Sequence, residues 1–128
     1  MRRISQLGAG DKGAAGIVSR LDKALNDCYT YASRAKEGTI TPREQLKAAA
    51  RGRTALALSL DLMLVERNEK ERQKYIYDHT LMTLENMGMR AEARRLREVL
   101  ALLRHRDEKS LERIRQIRDA LGETKRAN

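Results

Sequence analysis

Apolar residues recur every three or four positions along most of the chain, which is the spacing that places side chains on one side of an α-helix. This pattern predicts helices at about 14–36, 42–67, 68–88, 89–104 and 111–121. The intervening connections are short, and short connections make consecutive helices antiparallel neighbours. We therefore expect an all-α fold: an antiparallel bundle of five helices, or of four if the last two form one long bent helix.

Several residues predict where helices end and how they pack. Residues 41–44 (Thr-Pro-Arg-Glu) predict a capping box at the start of the second helix, in which the Thr and Glu side chains accept hydrogen bonds from each other's amides. Gly38 and Gly88 stand where helices end, as is typical of a left-handed cap residue. Gly52 lies inside the second helix, where it costs about 1 kcal/mol relative to Ala, so we expect it to allow close packing against a neighbouring helix.

The predicted bundle occupies residues 14–122 as one domain, which suits a chain of 128 residues. Residues 1–13 are rich in Gly and weakly apolar, and we expect them to form a flexible N-terminal arm. Residues 123–128 follow the last apolar stripe and are polar. We expect them to form a frayed tail.

The composition indicates which residues build the core. Aromatic residues make up only 3% of the chain, with no Phe or Trp, so Leu, Ile, Val, Met and Ala must fill it. Cys28 lies on the apolar stripe of the first helix, which predicts a small buried side chain rather than a reactive thiol. No apolar stretch approaches the roughly 18 residues of a membrane span, and Met1-Arg2-Arg3 is not followed by an apolar segment. We expect no membrane span and a cytoplasmic location.

Residues with catalytic or metal-binding chemistry are scattered. His79 and His105 are far apart in sequence, and neither has a Cys, His or carboxylate at metal-ligand spacing. His79 is expected to be packed and hydrogen-bonded, and Asp61 is expected to form a structural ion pair with Arg53 or His79. No Ser, Cys or Lys comes with a recognisable base. We therefore expect no enzymatic activity, no catalytic or metal-binding residues and no cofactor.

Positive charge is concentrated toward the C-terminus. The net charge is +9, and residues 90–128 contain 12 Lys and Arg against 7 Asp and Glu. The arginines that would form a basic face are Arg94, Arg95, Arg97, Arg104, Arg106, Arg113, Arg115 and Arg118. Non-specific binding of phosphates is one interpretation of this face, and a solvated surface that aids solubility is the other. A helix-turn-helix around Gly88 is disfavoured, because Arg94 and Arg97 occupy positions where its second helix must be apolar.

Tyrosine and methionine side chains suggest a surface for a protein partner. The four Tyr form two Tyr-x-Tyr pairs, Tyr29/Tyr31 and Tyr75/Tyr77. Side chains two positions apart on a helix point in different directions, so each pair is expected to place one ring in the core and one toward a groove or solvent. Flexible apolar side chains that suit a partner helix are supplied by Met63, Met82, Met87 and Met89. The alternatives are that these residues fill the core or form a homodimer interface.

A series of short motifs extends over about residues 17–103. The second predicted helix closes on Ser59-Leu60-Asp61, and the third contains Tyr77-Asp78. Apolar residues then follow at Leu84, Leu96, Val99, Leu102 and Leu103. This order and spacing resembles the flagellin-export chaperone family (FliS). In that family a helix bundle of similar length carries Ser-Leu-Asp, Leu-Tyr-x-Tyr and Leu-x-x-Val-x-x-Leu-Leu.

The chain also departs from the family pattern. Tyr77-Asp78 is followed by His79-Thr80 where the family has Tyr-Met, and residues 1–16 lack the family's Thr-Ala-Ser-Pro-like segment. A second register places the family's C-terminal helix on residues 107–121. The match therefore leaves the assignment of the last helix open.

The resemblance implies a cytosolic chaperone that wraps the helical tail of a secreted subunit, as in the bacterial flagellum, and blocks premature assembly. Tyr77, Leu84 and Leu96 match positions of the family motifs and are the expected lining of a client groove. The leading expectation is a non-enzymatic export chaperone or adaptor that buries a partner's amphipathic helix. A basic helical nucleic-acid-binding protein and a self-assembling structural helical protein are the alternatives.

Overall fold

The computed structural model describes residues 13–65, 70–105 and 107–127. These residues form five helices: α1 Ala14–Lys36, α2 Pro42–Val65, α3 Lys70–Asn86, α4 Arg90–Leu103 and α5 Glu108–Ala127. No strand occurs within the described ranges, so the predicted all-α bundle is confirmed. In the same ranges no helix has both the length and the hydropathy needed to cross a membrane. The predicted N-terminal arm lies, up to residue 12, outside the described residues.

Helix α2 is the centre of the bundle, because it contacts each of the other four helices. Around it, α1 also packs against α3, α3 against α4, and α4 against α5. The second half of α2 is consequently buried on nearly all sides. Its buried residues are Ala55, Leu56, Ala57, Leu58, Ser59, Leu60, Leu62 and Met63. A segment that is apolar around its whole circumference belongs in the interior of a bundle.

Ion pairs between helices show the antiparallel arrangement. Arg34 of α1 pairs with Glu44 of α2 beside the connection between them. Further along, Arg51 Nε lies 3.4 Å from Asp27 Oδ2. Because the residue number rises on one helix as it falls on the other, α1 and α2 run in opposite directions.

The predicted capping box and both glycine caps are present. The Thr41 amide donates to Glu44 Oε1 at 3.0 Å, and the Glu44 amide donates to Thr41 Oγ1 at 3.1 Å. Gly38 and Gly88 have φ angles of 73° and 75°, in the left-handed region that favours glycine. These local signals therefore end α1, begin α2 and end α3 at the positions that the sequence indicates.

The spacing of Ile76, His79 and Met82 predicts one apolar side for α3, and this prediction is wrong in part. His79 is exposed rather than packed, and Met82 is 59% exposed. The buried side instead contains Tyr77, Thr80 and Leu84. Apolar residues on α3 are spaced so that two overlapping stripes are possible, and packing against α1, α2 and α4 selects the one centred on Tyr77.

Helices α4 and α5 are separate, so the alternative of one long bent helix is wrong. Asp107 Oδ1 accepts a hydrogen bond from the Ser110 amide at 2.8 Å, which caps the start of α5. The same hydrogen bond is the main reason that the pKa of Asp107 lies below its usual range, because it favours the ionised carboxylate. The last helix thus begins at Glu108, inside the interval 105–110 that separates the two predicted helices.

Helix α5 is longer than predicted at both ends. It begins at Glu108 rather than 111 and continues to Ala127, past the predicted end at 121. Glu, Lys, Arg and Ala dominate residues 123–127, and these residue types favour helix enough to continue past Gly122. The predicted tail is therefore helical to Ala127, and residue 128 lies outside the described residues.

Cys28 is fully buried on α1, as predicted. Burial raises the pKa of its thiol to about 11, and the neighbouring Asp27 carboxylate acts in the same direction. Arg51 opposes this shift but does not cancel it. The thiol is therefore neutral at physiological pH and serves as a small apolar core residue.

Candidate functional site

An open groove of about 340 Å³ lies at the end of the bundle where α1 ends and α2 begins. Its lining residues are Tyr31, Ala32, Ala35, Ile40, Gln45, Ala48, Ala49, Asn86, Met87 and Met89. Seven of these ten residues are apolar. We call this concave surface the α1–α2 groove. Concave, mainly apolar surfaces of this kind are where proteins bind ligands or partner helices.

The groove exists because the first half of α2 packs mainly against α1 and is otherwise largely uncovered. Leu84 of α3 lies near Gly52, Thr80 of α3 contacts Ser59, and Arg118 of α5 pairs with Asp61, all in or near the second half of α2. Before Ala55 only Ala48 and Gly52 are buried, whereas the following turns are buried on nearly all sides. Alanines of α1 and α2 form the floor, and their short side chains leave it open.

Leu46 confirms how little covers this part of α2. Helical spacing from Leu56 and Leu60 would place Leu46 on the buried side of α2, but its side chain is 75% exposed. Helical spacing shows which residues share a side of a helix. It does not show which part of that side a neighbour covers, and here α1 faces Gln45, Ala48 and Ala49 of α2 while Leu46 stays exposed.

The turn between α3 and α4 forms one wall of the groove through Met87 and Met89. Gly88 reverses the chain, and the Met89 amide donates to the Leu84 carbonyl at 3.0 Å. This turn brings Met89 against Gly52 of α2, so closely that a Cβ atom at position 52 would collide with Met89 Sδ. The predicted role of Gly52 in close helix packing is therefore confirmed, and it also positions a groove residue.

The rim between α1 and α2 is held by charged and hydrogen-bonded side chains. Glu44 completes the capping box with Thr41 and also pairs with Arg34 at the end of α1. The hydrogen bond from the Thr41 amide is the main reason that the pKa of Glu44 lies below its usual range, and Arg34 acts in the same direction. These interactions fix the connection that contains Ile40, a lining residue of the groove.

The groove is suited to binding rather than to acid–base chemistry. Tyr31 carries the one ionisable side chain among its ten lining residues. Gln45 and Asn86 add two amides that can donate and accept hydrogen bonds. In the part of the chain that the structure describes, no group of three or more His, Cys, Asp or Glu side chains could hold a metal ion.

The three residues predicted to line a client groove are core residues instead. Tyr77, Leu84 and Leu96 are only 1%, 0% and 0% exposed. They lie in the continuous apolar core that α3 and α4 share with α1 and α2. A partner cannot contact them unless the bundle opens, which corrects the prediction that they line a groove.

The tyrosine and methionine patterns located the groove only in part. Tyr31 lines the groove while Tyr29 is 73% exposed, so neither ring of this pair is in the core. Tyr77 is in the core, and the Tyr75 side chain lies outside the described residues. Among the four methionines, Met87 and Met89 line the groove. Ile40 carried no sequence signal, because it stands alone between two helices.

Arg118 of the predicted basic face is a structural residue. Its guanidinium pairs with Asp61 of α2, with 2.6 Å between Nε and Oδ1. Asp61 was expected to pair with Arg53 or His79, so the ion pair is confirmed and its partner is corrected. A residue 57 positions away cannot be found from helical spacing within α2.

The remaining arginines of the predicted face divide into paired and unpaired groups. The pairs join Arg95 and Arg113 to Glu98, Arg97 to Glu85, and Arg115 to Glu112. Arg94 and Arg104 are exposed and have no carboxylate within ion-pair distance among the described residues. Arg106 lies outside the described residues. The predicted face is therefore not one uniform surface of free positive charge.

Comparison of the chain with protein-family models, curated proteins and solved structures gave no match. Function is therefore inferred from two surface features of the molecule. One is the apolar α1–α2 groove, and the other is the set of unpaired arginines on α4 and at its C-terminal end.

Proposed function

We propose that the protein is a non-enzymatic binding protein that holds an amphipathic helix of a partner protein in the α1–α2 groove. The observation that supports this function is the groove itself: seven apolar residues line a concave surface that is open to solvent between two antiparallel helices and a turn. Burial of such surface against a partner is favourable by about 25 cal/mol per Å² of apolar area. Exposure of this apolar surface does not stabilise the isolated bundle, whereas its burial by a partner would be favourable.

The shape and chemistry of the lining favour a helix as the occupant. Helix-in-groove recognition uses apolar side chains at positions i, i+3 or i+4, and i+7, which enter a trough as a row of anchors. Met87 and Met89 are flexible and can adapt their shape to such anchors. The Tyr31 ring offers apolar contact together with a hydroxyl for hydrogen bonding. Because the groove is open to solvent, a small molecule bound there would remain largely exposed, whereas a partner helix would cover the groove.

Charges near the groove favour an acidic partner helix. Lys36, Arg53 and Arg90 each lie within one turn of a groove residue along their own segment, and none has a carboxylate within ion-pair distance among the described residues. The exposed carboxylates within one turn of groove residues are Glu37 and Glu85, and Glu85 is already held by Arg97. Unpaired cations attract a helix whose apolar side is flanked by Asp or Glu, and they raise its rate of association.

A more specific form of this proposal follows from the resemblance to the flagellin-export chaperone family. In that form the protein acts in the cytoplasm, and the occupant is the helical tail of an exported subunit that must not assemble prematurely. Tyr77, Leu84 and Leu96 would then support the fold, and the α1–α2 groove would receive the tail. The partner's identity distinguishes this form from a general adaptor.

Affinity capture with matched variants tests the proposed function. The wild-type protein, Ile40→Glu and Met87→Glu serve as bait in extracts of the source cells, with nuclease present throughout. Met82→Glu is the control, because Met82 is 59% exposed on α3 and does not line the groove. We expect one protein to be retained by the wild type and by Met82→Glu and to fall at least tenfold on the groove variants, because a buried charge opposes apolar docking.

A second stage of the same experiment identifies the segment that binds. A synthetic peptide from the amphipathic part of the captured protein should gain helicity with the wild-type protein and not with Ile40→Glu. Equal retention on all four baits would contradict the proposal. If the groove variants instead differed from the wild type in oligomeric mass, measured by analytical ultracentrifugation, the occupant would be a second copy of the chain.

A further inference from the structure

Four arginines form a row along the solvent-exposed side of α4 and its C-terminal cap residue. Arg90, Arg94, Arg97 and Arg104 are separated by four, three and seven positions, which keeps them on one side of a helix. All four are exposed. The buried side of α4 is formed by different residues, namely Ala93, Leu96 and Val99. The row extends over about 21 Å at 1.5 Å per residue. We call it the α4 arginine row.

The positive charge of the α4 arginine row is only partly compensated. Arg97 pairs with Glu85 of α3. Glu98, the acidic residue next to the row, is already held by Arg95 at 3.6 Å and Arg113 at 3.4 Å. Arg90, Arg94 and Arg104 have no carboxylate within ion-pair distance in the described ranges. Three guanidinium groups therefore face solvent with their charge available.

The composition of this segment favours phosphate as the ligand. Residues 90–104 contain five Arg, two Glu and no Lys. The guanidinium is a planar fork that binds phosphate oxygens through two parallel hydrogen bonds, whereas the lysine ammonium acts as a point charge. The row also lacks a large apolar side chain, because Ala101 is the residue between Arg97 and Arg104 on that side. A protein interface would need such a side chain as a buried anchor.

The same segment favours a duplex over a single strand. Proteins that bind single-stranded nucleic acid use aromatic side chains on which the bases stack. Residues 90–104 contain no aromatic residue. A duplex presents about one negative charge per 1.7 Å of its axis, so a straight row of 21 Å meets several phosphates at once. From these observations we infer that the α4 arginine row binds the phosphate backbone of double-stranded nucleic acid without reading its sequence.

Salt-dependent binding to labelled duplexes tests this second site. The probes are a duplex DNA, a duplex RNA of the same length and a single-stranded DNA, each followed by fluorescence anisotropy from low to physiological salt. The row variant is Arg90→Gln/Arg94→Gln/Arg104→Gln. The control variant, Lys36→Gln/Arg43→Gln/Lys47→Gln, removes the same charge from exposed positions on α1 and α2. The two duplexes show which kind of backbone is preferred.

We expect the wild type to bind a duplex more tightly than the single strand. The row variant should lose at least tenfold in affinity at low salt. The slope of log K against log salt is negative, and its magnitude should decrease by roughly two to three units, because each lost phosphate contact contributes about 0.9. The control variant should lose much less. Equal losses of duplex affinity in the two variants would show a general effect of charge and would contradict the proposed site.

Two further outcomes would also overturn the inference: no duplex binding by the wild type at low salt, or equal binding to the single strand. The groove variant Ile40→Glu should bind duplexes as the wild type does, because Ile40 lies outside the row. This result keeps the two sites distinguishable. Failure of the groove proposal would leave duplex binding unchanged, and failure of duplex binding would leave capture of the protein partner unchanged.

Discussion

Arg118 of α5 donates two hydrogen bonds to the Asp61 carboxylate of α2, with 2.6 Å between Nε and Oδ1 and 3.2 Å between Nη2 and Oδ2. The two side chains are 24% and 28% exposed, so the pair is partly withdrawn from water. This parallel, two-bond geometry is the strongest form of an arginine–carboxylate contact. It attaches the last helix of the described chain to the central helix.

Removal of this guanidinium should destabilise the protein. We expect Arg118→Gln to lower the free energy of unfolding by about 1–3 kcal/mol, because Asp61 would keep its charge without its partner. Arg115→Gln is the matched control on the same helix, since Arg115 pairs with the exposed Glu112 and such surface pairs contribute about 0–1 kcal/mol. Urea denaturation of both variants measures the difference. Equal unfolding midpoints for the two variants would contradict this role.

Substitution at Gly52 should separate helix propensity from packing. Gly52→Ala gains about 1 kcal/mol of helix propensity but forces the flexible end of Met89 to move, so its net effect on stability should be small. Gly52→Val adds more volume against Met89 and Leu84 and should destabilise by about 1–3 kcal/mol. Urea denaturation of the two variants measures both effects. A Val variant as stable as wild type would contradict the close contact at this position.

The capping box predicts a loss of stability in acid. The folded-state pKa of Glu44 lies below its ordinary value of about 4.3. Its contribution is therefore present above that value and is lost as the pH falls through the folded-state pKa. Glu44→Gln should be less stable than wild type at neutral pH, and the difference should narrow below about pH 4. Glu37→Gln is the control, because Glu37 is exposed and outside the box. If Glu44→Gln were less stable than wild type by the same free energy of unfolding at neutral pH and in acid, the charge of Glu44 would have no such role.

The Cys28 thiol should be unreactive in the folded protein. It is fully buried with a pKa raised to about 11, so both access and the thiolate form are suppressed at neutral pH. A thiol reagent that releases a coloured product should react slowly in buffer and rapidly in concentrated urea. Because the pKa is raised, this group's contribution to stability is complete below about pH 8.5 and declines toward pH 11. Rapid reaction of one thiol per chain in buffer would be inconsistent with the bundle described here.

Local features of the fold could be predicted from the sequence because their causes are local. The capping box at 41–44 needs only two side chains and the amides beside them. The left-handed caps at Gly38 and Gly88 depend on the absence of a side chain at one position. The start of α5 had a comparable signal in Asp107 followed by Ser110, which indicates an N-cap and a break before that helix.

The site could not be predicted in the same way, because it depends on where helices stop in three dimensions. The apolar spacing of Tyr77, Leu84 and Leu96 indicated a shared surface and could not distinguish a groove from a core. Leu46 has the same helical spacing as buried residues and is nevertheless exposed. The partner of Asp61 likewise comes from a helix that is distant in sequence.

Site-specific photocrosslinking tests the central claim that the α1–α2 groove holds a partner helix. A photoreactive amino acid is placed at Ile40 in the groove or at Met82 on the exposed side of α3, and each variant is irradiated in the source cells. We predict a crosslink to an amphipathic helical segment of one other protein from position 40 and none from position 82. Absence of a crosslink at position 40, or the same products from both positions, would contradict the claim.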